Sequence, residues 1–486
     1  MAEPATPAPP STATHDGGGA ISPRRPPLHT VLPPLILGTA TFNTQFVADP
    51  HSMPYRDIVA RALALGVNAF DTSPYYGPSE ILLGTALGAL MKNPTPSIDA
   101  SPSPSPVPLS RSSFFLVTKA GRVGPTEFDY SPAWIRYSVL RSLQRLHTPY
   151  VDMVYLHDVE FVSPAEVLAA VRELRRLRDD EGGVVRYVGI SGFPVGVLCS
   201  LAEMILAETG EPLDAVLSYG HFTVQNRRLG GLPPPPPPPA GEEEQPETPP
   251  PPPPEHGGLL PPLARFKKAG VDVVLNASIL GMGLLTSRGI PVHPPAPGAA
   301  GDDGADKTPS LVAQWHPSPP GLRVACMKLA ELAAAAGERL ESVAIRWALA
   351  EWARLGAAAG LGVDVSAPGL GPRRVGATVC GVSTIAELEE TVADWRGVLS
   401  SLGQVDGSND DTYGLARQEK VVNLVQRDLW PALGSWLDHV WGSPGPEFVN
   451  TRRDCDRGVV PDDGVVAAYE MAKQARQTAQ STVGAR

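Results

Sequence analysis

Cysteine is scarce in this sequence, and the residue spacings of common metal sites are missing. The 486 residues include four cysteines, Cys199, Cys326, Cys380 and Cys455, which lie far apart and form no Cys-x-x-Cys pair. Neither a disulfide framework nor a zinc site is therefore indicated, and no metal is expected. Reduced thiols of this kind are typical of a cytoplasmic protein, which is the location we expect.

Long apolar runs and an excess of positive charge are also absent. No run of 18 apolar residues occurs, so no membrane-spanning helix is predicted. The 40 Lys and Arg residues are outnumbered by 51 Asp and Glu residues, giving a net charge of −11, which argues against nucleic acid as a partner. Residues 1–30 are rich in Pro, Ala, Ser and Gly and lack the apolar core of a secretory signal. We expect them to form a disordered tail.

Proline, in contrast, is abundant: the chain has 55 prolines, many of them in four low-complexity stretches. We interpret residues 93–112, 232–258, 290–310 and 356–374 as loop insertions, because such compositions bury too little apolar surface to offset the entropy of ordering. The second insertion contains polyproline runs, which would form type II helices able to dock an SH3- or WW-type domain. A surface insertion without a ligand is favoured over docking.

Outside these stretches, short runs rich in β-branched residues alternate with helical patterns. The predicted strands cover residues 35–40, 67–71, 114–118, 151–156, 185–190, 214–219, 271–276 and 377–382. The predicted helices cover residues 55–66, 131–146, 163–178, 195–206, 323–336, 342–355 and 385–399. Eight strands alternating with helices predict either a closed (β/α)8 barrel or a doubly wound sheet.

The turn after the first strand favours the barrel. A doubly wound dinucleotide-binding domain would have Gly-x-Gly-x-x-Gly there, but the sequence LGTATFNTQ contains a single glycine. We therefore predict an α/β fold with a (β/α)8 TIM barrel over residues 31–400. Residues 401–486 are expected to be a C-terminal extension with helical segments near 419–441 and 464–477.

Four different chemical groups follow successive predicted strands. Asp71 ends the second strand and Tyr76 follows it, Lys119 ends the third strand, and His157 ends the fourth. The carboxyl ends of barrel strands meet at one face, so these side chains are predicted to share an active site. Polar residues are common at strand ends, however, and position alone does not separate Tyr76 from Tyr75.

These groups suit a proton transfer that is coupled to hydride transfer. A tyrosine with a pKa near 10 is a poor base at neutral pH, but a neighbouring ammonium such as Lys119 would favour the phenolate and lower that pKa. Asp71 would pair with the lysine and hold it in place. His157 would orient a substrate oxygen through a hydrogen bond.

Six motifs along the chain resemble those of the aldo-keto reductases. They are FDTSPYYG, LVTKAG, YLHD, GISGF, SILGMGLL and VCGVSTIAELEE, in chain order. The resemblance spans residues 35–400 and implies the same (β/α)8 barrel. It also implies a catalytic tetrad of Asp71, Tyr76, Lys119 and His157, with Tyr76 preferred because the family's tyrosine directly precedes the glycine.

The resemblance implies a nicotinamide cofactor. Glu387 matches the position at which many members have an arginine that holds the 2′-phosphate of NADPH, and a carboxylate there would repel that phosphate, with Glu390 adding to the repulsion. NAD is therefore expected rather than NADP. Other implied cofactor-binding residues are Gly38, Thr39, Ser191, Ser218, Ser278, Leu280, Gly281, Gly283 and Ser383. Gly192 and Ala277 depart from the family pattern, which has an asparagine and a nicotinamide-stacking tyrosine there.

Within the family, the motifs LHDVEF, GISGFP, LSYGHFT and WHPSPPGLRVAC are similar to those of the sugar dehydrogenase branch. This similarity implies NAD-dependent oxidation of an aldose, of the D-arabinose or L-galactose type, at C1 to the lactone, with Tyr76 as the general base. One alternative is an NADPH-dependent aldehyde or ketone reductase of the same family. Another is a barrel that acts as a binding module and presents its polyproline insertion to a partner.

Overall fold

Eight parallel strands close into a barrel in the computed structural model, which describes residues 25–92, 109–179, 183–232, 260–292, 311–367, 370–403 and 412–484. The barrel strands are β1 (Leu35–Gly38), β2 (Ala69–Asp71), β3 (Phe115–Ala120), β4 (Val151–His157), β5 (Val185–Gly192), β6 (Ala215–Tyr219), β7 (Val273–Ala277) and β10 (Ala377–Gly381). Their order around the barrel is β1-β10-β7-β6-β5-β4-β3-β2. The TIM barrel and all eight strands predicted from the sequence are confirmed.

Helices follow the strands and cover the outside of the barrel. They are α1 (Tyr55–Ala64), α2 (Ser79–Lys92), α3 (Pro132–Arg145), α4 (Pro164–Asp179), α5 (Val195–Thr209), α6 (Pro262–Lys268), α7 (Pro320–Ala335), α8 (Leu340–Ala359) and α9 (Ile385–Gly403). The C-terminal extension adds α10 (Thr412–Leu424), α11 (Trp430–Leu433) and α12 (Val465–Gly484). Among the described residues, no helix combines the length and apolar character needed to cross a bilayer.

The predicted helix starts have the expected caps. Ser131 accepts a hydrogen bond from the backbone of Trp134, with Pro132 in the first turn of α3. At α4, the backbone N–H of Ser163 donates to Glu166 while the backbone N–H of Glu166 donates to the Ser163 hydroxyl, which completes the predicted capping box.

Two helices of the barrel, α2 and α6, were not predicted from the sequence. Helix α2 is rich in leucine, alanine and glycine and buries most of its first nine residues, so it shows no polar face that would reveal a helical period. Helix α6 has seven residues, too few for a periodic pattern.

The interpretation of residues 356–374 as a loop insertion is wrong. This stretch contains the end of α8 and an antiparallel hairpin of β8 (Val363–Ala367) and β9 (Leu370–Val375), in which Val363 pairs with Val375. Leu361, Val363 and Val375 are buried, so the stretch has the apolar face of a strand within a sequence rich in glycine and alanine. Most of the other three predicted insertions, including the polyproline runs, lies outside the described residues.

The barrel also includes the end of the predicted N-terminal tail. Leu28–Thr30 form a short 3-10 helix with Leu28 buried, and His29 Nδ1 lies 2.6 Å from Asp272 Oδ1. The prediction of a disordered tail is therefore wrong for residues 25–30, and residues 1–24 lie outside the described ranges.

The C-terminal extension packs against loops that follow β3 and β6. Asp438 Oδ2 lies 2.5 Å from Nη2 of Arg227, whose side chain is 2 % exposed. Asn450 exchanges two hydrogen bonds with the backbone of Phe128, at 3.0 and 2.9 Å. These contacts make the extension part of the same folded unit as the barrel.

Replacing Asp438 by Asn tests this attachment. The variant keeps the shape of the side chain, and Asn tolerates the left-handed backbone at this position (φ 59°), but it removes the charge opposite the buried Arg227 guanidinium. We expect the free energy of unfolding to fall by about 2 kcal/mol, measured by urea denaturation. The matched control is Asp454→Asn, which removes an exposed surface charge and should change the value little. Equal effects of the two substitutions would contradict a structural role for the extension.

Candidate active site

The carboxyl ends of the barrel strands surround a cavity of about 400 Å³. Every barrel strand contributes a residue at or near its end: Gly38, Asp71, Lys119, His157, Ser191, Tyr219, Ala277 and Gly381. A cavity of this volume suits a small organic ligand or part of a cofactor. The strand-end residues predicted from the sequence are therefore brought to one place.

A buried ion pair joins the ends of β2 and β3. Lys119 Nζ lies 2.5 Å from Asp71 Oδ1 and also donates to the backbone carbonyl of Thr72 at 3.0 Å. Both charged side chains are at most 6 % exposed. Burial acts to lower the pKa of Lys119, but attraction to Asp71 and Tyr76 outweighs burial, so this pKa lies above its ordinary value. Lys119 is therefore a fixed ammonium.

Tyr76 lies beside this ammonium, with Lys119 Nζ 4.8 Å from the centre of its ring. Burial raises the pKa of Tyr76, the charge of Lys119 lowers it, and the charges of Asp71 and Asp158 raise it again; the net shift is upward. We predicted from the sequence that Lys119 lowers the pKa of Tyr76, and the charge of Lys119 taken by itself does lower it. The net direction differs because the effect of burial outweighs that of the lysine, and Tyr76 is a neutral phenol at neutral pH.

His157 is a neutral imidazole next to Tyr76. The two ring centres are 5.6 Å apart, and His157 Nδ1 lies 3.0 Å from the Ser73 hydroxyl. Burial, followed by the charges of Lys119 and Arg122, holds the pKa of His157 well below its usual range. The Tyr130 hydroxyl donates to the His157 carbonyl at 2.6 Å, which fixes the backbone that carries the ring.

The structure separates the two neighbouring tyrosines. The Tyr75 hydroxyl accepts a hydrogen bond from Arg122 Nη2 at 3.0 Å, and the guanidinium lies 3.7 Å from the centre of the Tyr75 ring. Both rings lie edge-on to His157, with ring centres 5.9 Å away for Tyr75 and 5.6 Å away for Tyr76, but it is Tyr76 that lies beside Lys119. Of the two phenols, only Tyr76 is therefore placed next to the Lys119 ammonium.

Among the cavity residues that were not predicted from the sequence are two charged ones, Arg122 and Asp158. They form an ion pair with each other, and both lie just beyond strand ends, after the LVTKAG motif and within YLHD. Both positions can be found in the sequence, but the prediction considered the residue at the end of each strand and not the residues that follow it.

A strained loop after β7 lines the same cavity with Ser278, Leu280 and Gly283. The backbones of Ser278 and Met282 have φ values of 56° and 54°, a left-handed conformation that is uncommon outside glycine and clusters at ligand sites. Gly281 is not on the cavity wall, and with φ 55° it makes the turn. The contact of this loop with the pyrophosphate of a dinucleotide stays a prediction.

Glu387 and Ser383 lie on the cavity wall at the start of α9. Glu387 Oε2 accepts from the backbone N–H of Ser383 at 2.6 Å, while the N–H of Glu387 donates to the Thr384 hydroxyl. Glu390 is not on the wall and is ion-paired with Arg339, so the repulsion that we expected it to add is compensated. Of these two glutamates, Glu387 is therefore the one that lines the cavity.

Thr39 and Ser218 have other partners. Thr39 is fully buried and its hydroxyl donates to the Asp71 carbonyl at 3.0 Å. The Ser218 hydroxyl lies 3.3 Å from His221 Nδ1. Neither side chain lines the cavity, and their contact with a cofactor stays a prediction. Within the described ranges, no cluster of three or more His, Cys, Asp or Glu side chains could hold a metal ion.

The chain is similar to several known proteins. The model of the Aldo/keto reductase family matches residues 34–229 and 259–402. D-arabinose 1-dehydrogenase of Saccharomyces cerevisiae is 32 % identical over 420 residues, which cover 86 % of this chain and 96 % of the yeast protein. L-galactose dehydrogenase of Arabidopsis thaliana is 27 % identical over 377 residues, which cover 77 % of this chain and 86 % of the plant protein. The solved glycerol dehydrogenase of Gluconobacter oxydans aligns with a TM-score of 0.42 and 20 % identity over 82 % of this chain and 94 % of that chain.

Proposed function

This chain belongs to the aldo/keto reductase family, and we propose that it oxidises an aldose at C1 to the lactone with NAD as hydride acceptor. The observation that carries the proposal is the convergence of Tyr76, Lys119, Asp71 and His157 in one cavity. The names of the two curated relatives, both sugar dehydrogenases, support a sugar as the substrate.

Tyr76 is the proposed base. The C1 hydroxyl gives its proton to the Tyr76 oxygen, the C1–H bond breaks with its electron pair leaving as hydride, and the C1–O bond becomes the lactone carbonyl. Bound nicotinamide would supply the hydride acceptor. Because Tyr76 is a neutral phenol at neutral pH, oxidation draws on its small ionised fraction. The Lys119 charge enlarges that fraction by favouring the phenolate.

His157 positions the reacting oxygen. Its ring is neutral, is held through Nδ1 near the Ser73 hydroxyl and lies edge-on to Tyr76. A neutral imidazole can hydrogen-bond the C1 oxygen without adding a positive charge that would compete with Lys119 for the phenolate.

The charges on the cavity wall support NAD over NADP. Among the described residues, the lysine and arginine side chains on the wall are those of Lys119 and Arg122, and each is ion-paired with a buried aspartate. Glu387 adds a carboxylate to the same wall. A 2′-phosphate would therefore meet a negative group, whereas ribose hydroxyls can donate to it.

The raised pKa of Tyr76 also suits the reverse reaction. A neutral phenol can donate its proton to the oxygen of a carbonyl that receives hydride, which is the chemistry of an aldehyde or ketone reductase. Initial rates with NAD and D-arabinose, compared with those for NADPH and an aromatic aldehyde, distinguish this second candidate from the first.

Replacing Tyr76 by Phe tests the base. We expect kcat/KM for aldose oxidation to fall by about two to four orders of magnitude, as is usual for loss of a general base. The matched control is Tyr75→Phe, which removes the neighbouring hydroxyl and should cost far less. Similar rates for Tyr76→Phe and the wild type would show that the tetrad is wrongly assigned.

Replacing Glu387 by Arg tests the cofactor assignment. The wild type should prefer NAD, and the variant should raise the ratio of kcat/KM for NADP to that for NAD by about tenfold or more, since arginine binds phosphate well. Glu389→Arg is the control, because Glu389 pairs with Arg61 and does not line the cavity. A wild-type preference for NADP would overturn the assignment.

A further inference from the structure

We propose that Asp158, held in place by Arg122, recognises the sugar itself by accepting a hydrogen bond from the hydroxyl on the carbon next to the reacting one. This inference rests on the proposed function and deepens it, because it assigns the site to neutral aldoses that have a C2 hydroxyl.

Asp158 lines the cavity and has one carboxylate oxygen without a hydrogen-bond donor. Its side chain is 2 % exposed, and the oxygen Oδ2 contacts Arg122 Nη1. The other oxygen, Oδ1, is buried and has no hydrogen-bond partner among the described residues. A buried carboxylate oxygen without a donor is costly, and in a residue that lines a cavity it points to a ligand that supplies an O–H group.

The position of Asp158 indicates which hydroxyl it would bind. Its Oδ2 lies 3.8 Å from His157 Nε2, so the carboxylate is adjacent to the imidazole that is proposed to hold the C1 oxygen. Two neighbouring protein groups of this kind match two oxygens on neighbouring carbons of a vicinal diol. The C2 hydroxyl is therefore the partner that we assign to Asp158.

Arg122 holds this carboxylate in place. Its guanidinium lies over the Tyr75 ring and donates to the Tyr75 hydroxyl, so its orientation is fixed before a ligand binds. It also donates to the backbone carbonyls of Gly124 and Pro125, so most of its N–H groups bind the protein, and its role is to position Asp158. Its charge is balanced by Asp158, which favours neutral hydroxyls over a sugar phosphate or a sugar acid as ligands.

The variants Asp158→Gly and Asp158→Asn test the inference through the ratio of kcat/KM values for two sugars. Both replacements tolerate the left-handed backbone of Asp158 (φ 58°), and Asn keeps the side-chain volume in case the glycine variant folds poorly. The readout is kcat/KM for D-arabinose divided by kcat/KM for 2-deoxy-D-ribose, which is the same sugar without its C2 hydroxyl. A purely structural role of Asp158 would lower both values and leave the ratio unchanged.

We expect the wild type to prefer D-arabinose and the glycine variant to lose about ten- to hundredfold of that preference, the usual value of a hydrogen bond to a charged group. The asparagine variant should lose a smaller part, because its amide keeps hydrogen-bonding capacity without the charge. The matched control is Asp152→Asn near the start of β4, which removes another buried aspartate charge, one that pairs with Arg111 at 2.6 Å and does not line the cavity. This control should keep the wild-type ratio.

Two results would overturn the inference. If the wild type oxidises both sugars equally well, or if both Asp158 variants keep the wild-type ratio, Asp158 does not recognise the C2 hydroxyl, while aldose oxidation itself stands. If the wild type oxidises neither sugar nor any other aldose with NAD or NADP, the proposed function fails as well.

Discussion

The ion pair between Lys119 and Asp71 is the interaction on which the site depends. Both groups are almost completely buried, where a single charge would be strongly disfavoured, and a lysine alone would tend to lose its proton. Asp71 keeps the ammonium charged, and the ammonium in turn opposes the effect of burial on Tyr76. The barrel supplies the geometry for this pair, because β2 and β3 are hydrogen-bonded neighbours whose carboxyl ends lie side by side.

The same principle of paired charges extends across the cavity. Arg122 and Asp158 repeat the arrangement one strand further on, and the result is a wall that carries charged groups but little uncompensated positive charge. Loops that hold these residues are themselves supported by the C-terminal extension: the stretch containing Phe128 and Asp129 binds Asn450 and neighbouring residues of that extension. The described residues of the extension thus hold a loop beside the cavity without lining the cavity themselves.

The sequence predicted those features that depend on local patterns. The eight strands were visible because buried parallel strands are continuous apolar runs, and Asp71, Lys119 and His157 were visible because polar residues stop those runs at successive strand ends. The choice of Tyr76 over Tyr75 came from the family resemblance. The hairpin after α8 was missed because Val363 and Val375 lie among small residues that resemble a loop. The net pKa of Tyr76 and the pairing of Glu390 with Arg339, 51 positions away, depend on burial and on long-range contacts. Neither can be read from local pattern.

The most direct measurement of the central interaction is the pH dependence of aldose oxidation in the wild type and in Lys119→Met. Methionine keeps an unbranched side chain of similar length without the charge, so Tyr76 should ionise less readily. We predict that the apparent pKa of the essential base in kcat/KM moves upward and that the rate at pH 7 falls by about tenfold for each unit of that shift. An unchanged apparent pKa together with an unchanged rate at pH 7 would contradict the role of Lys119.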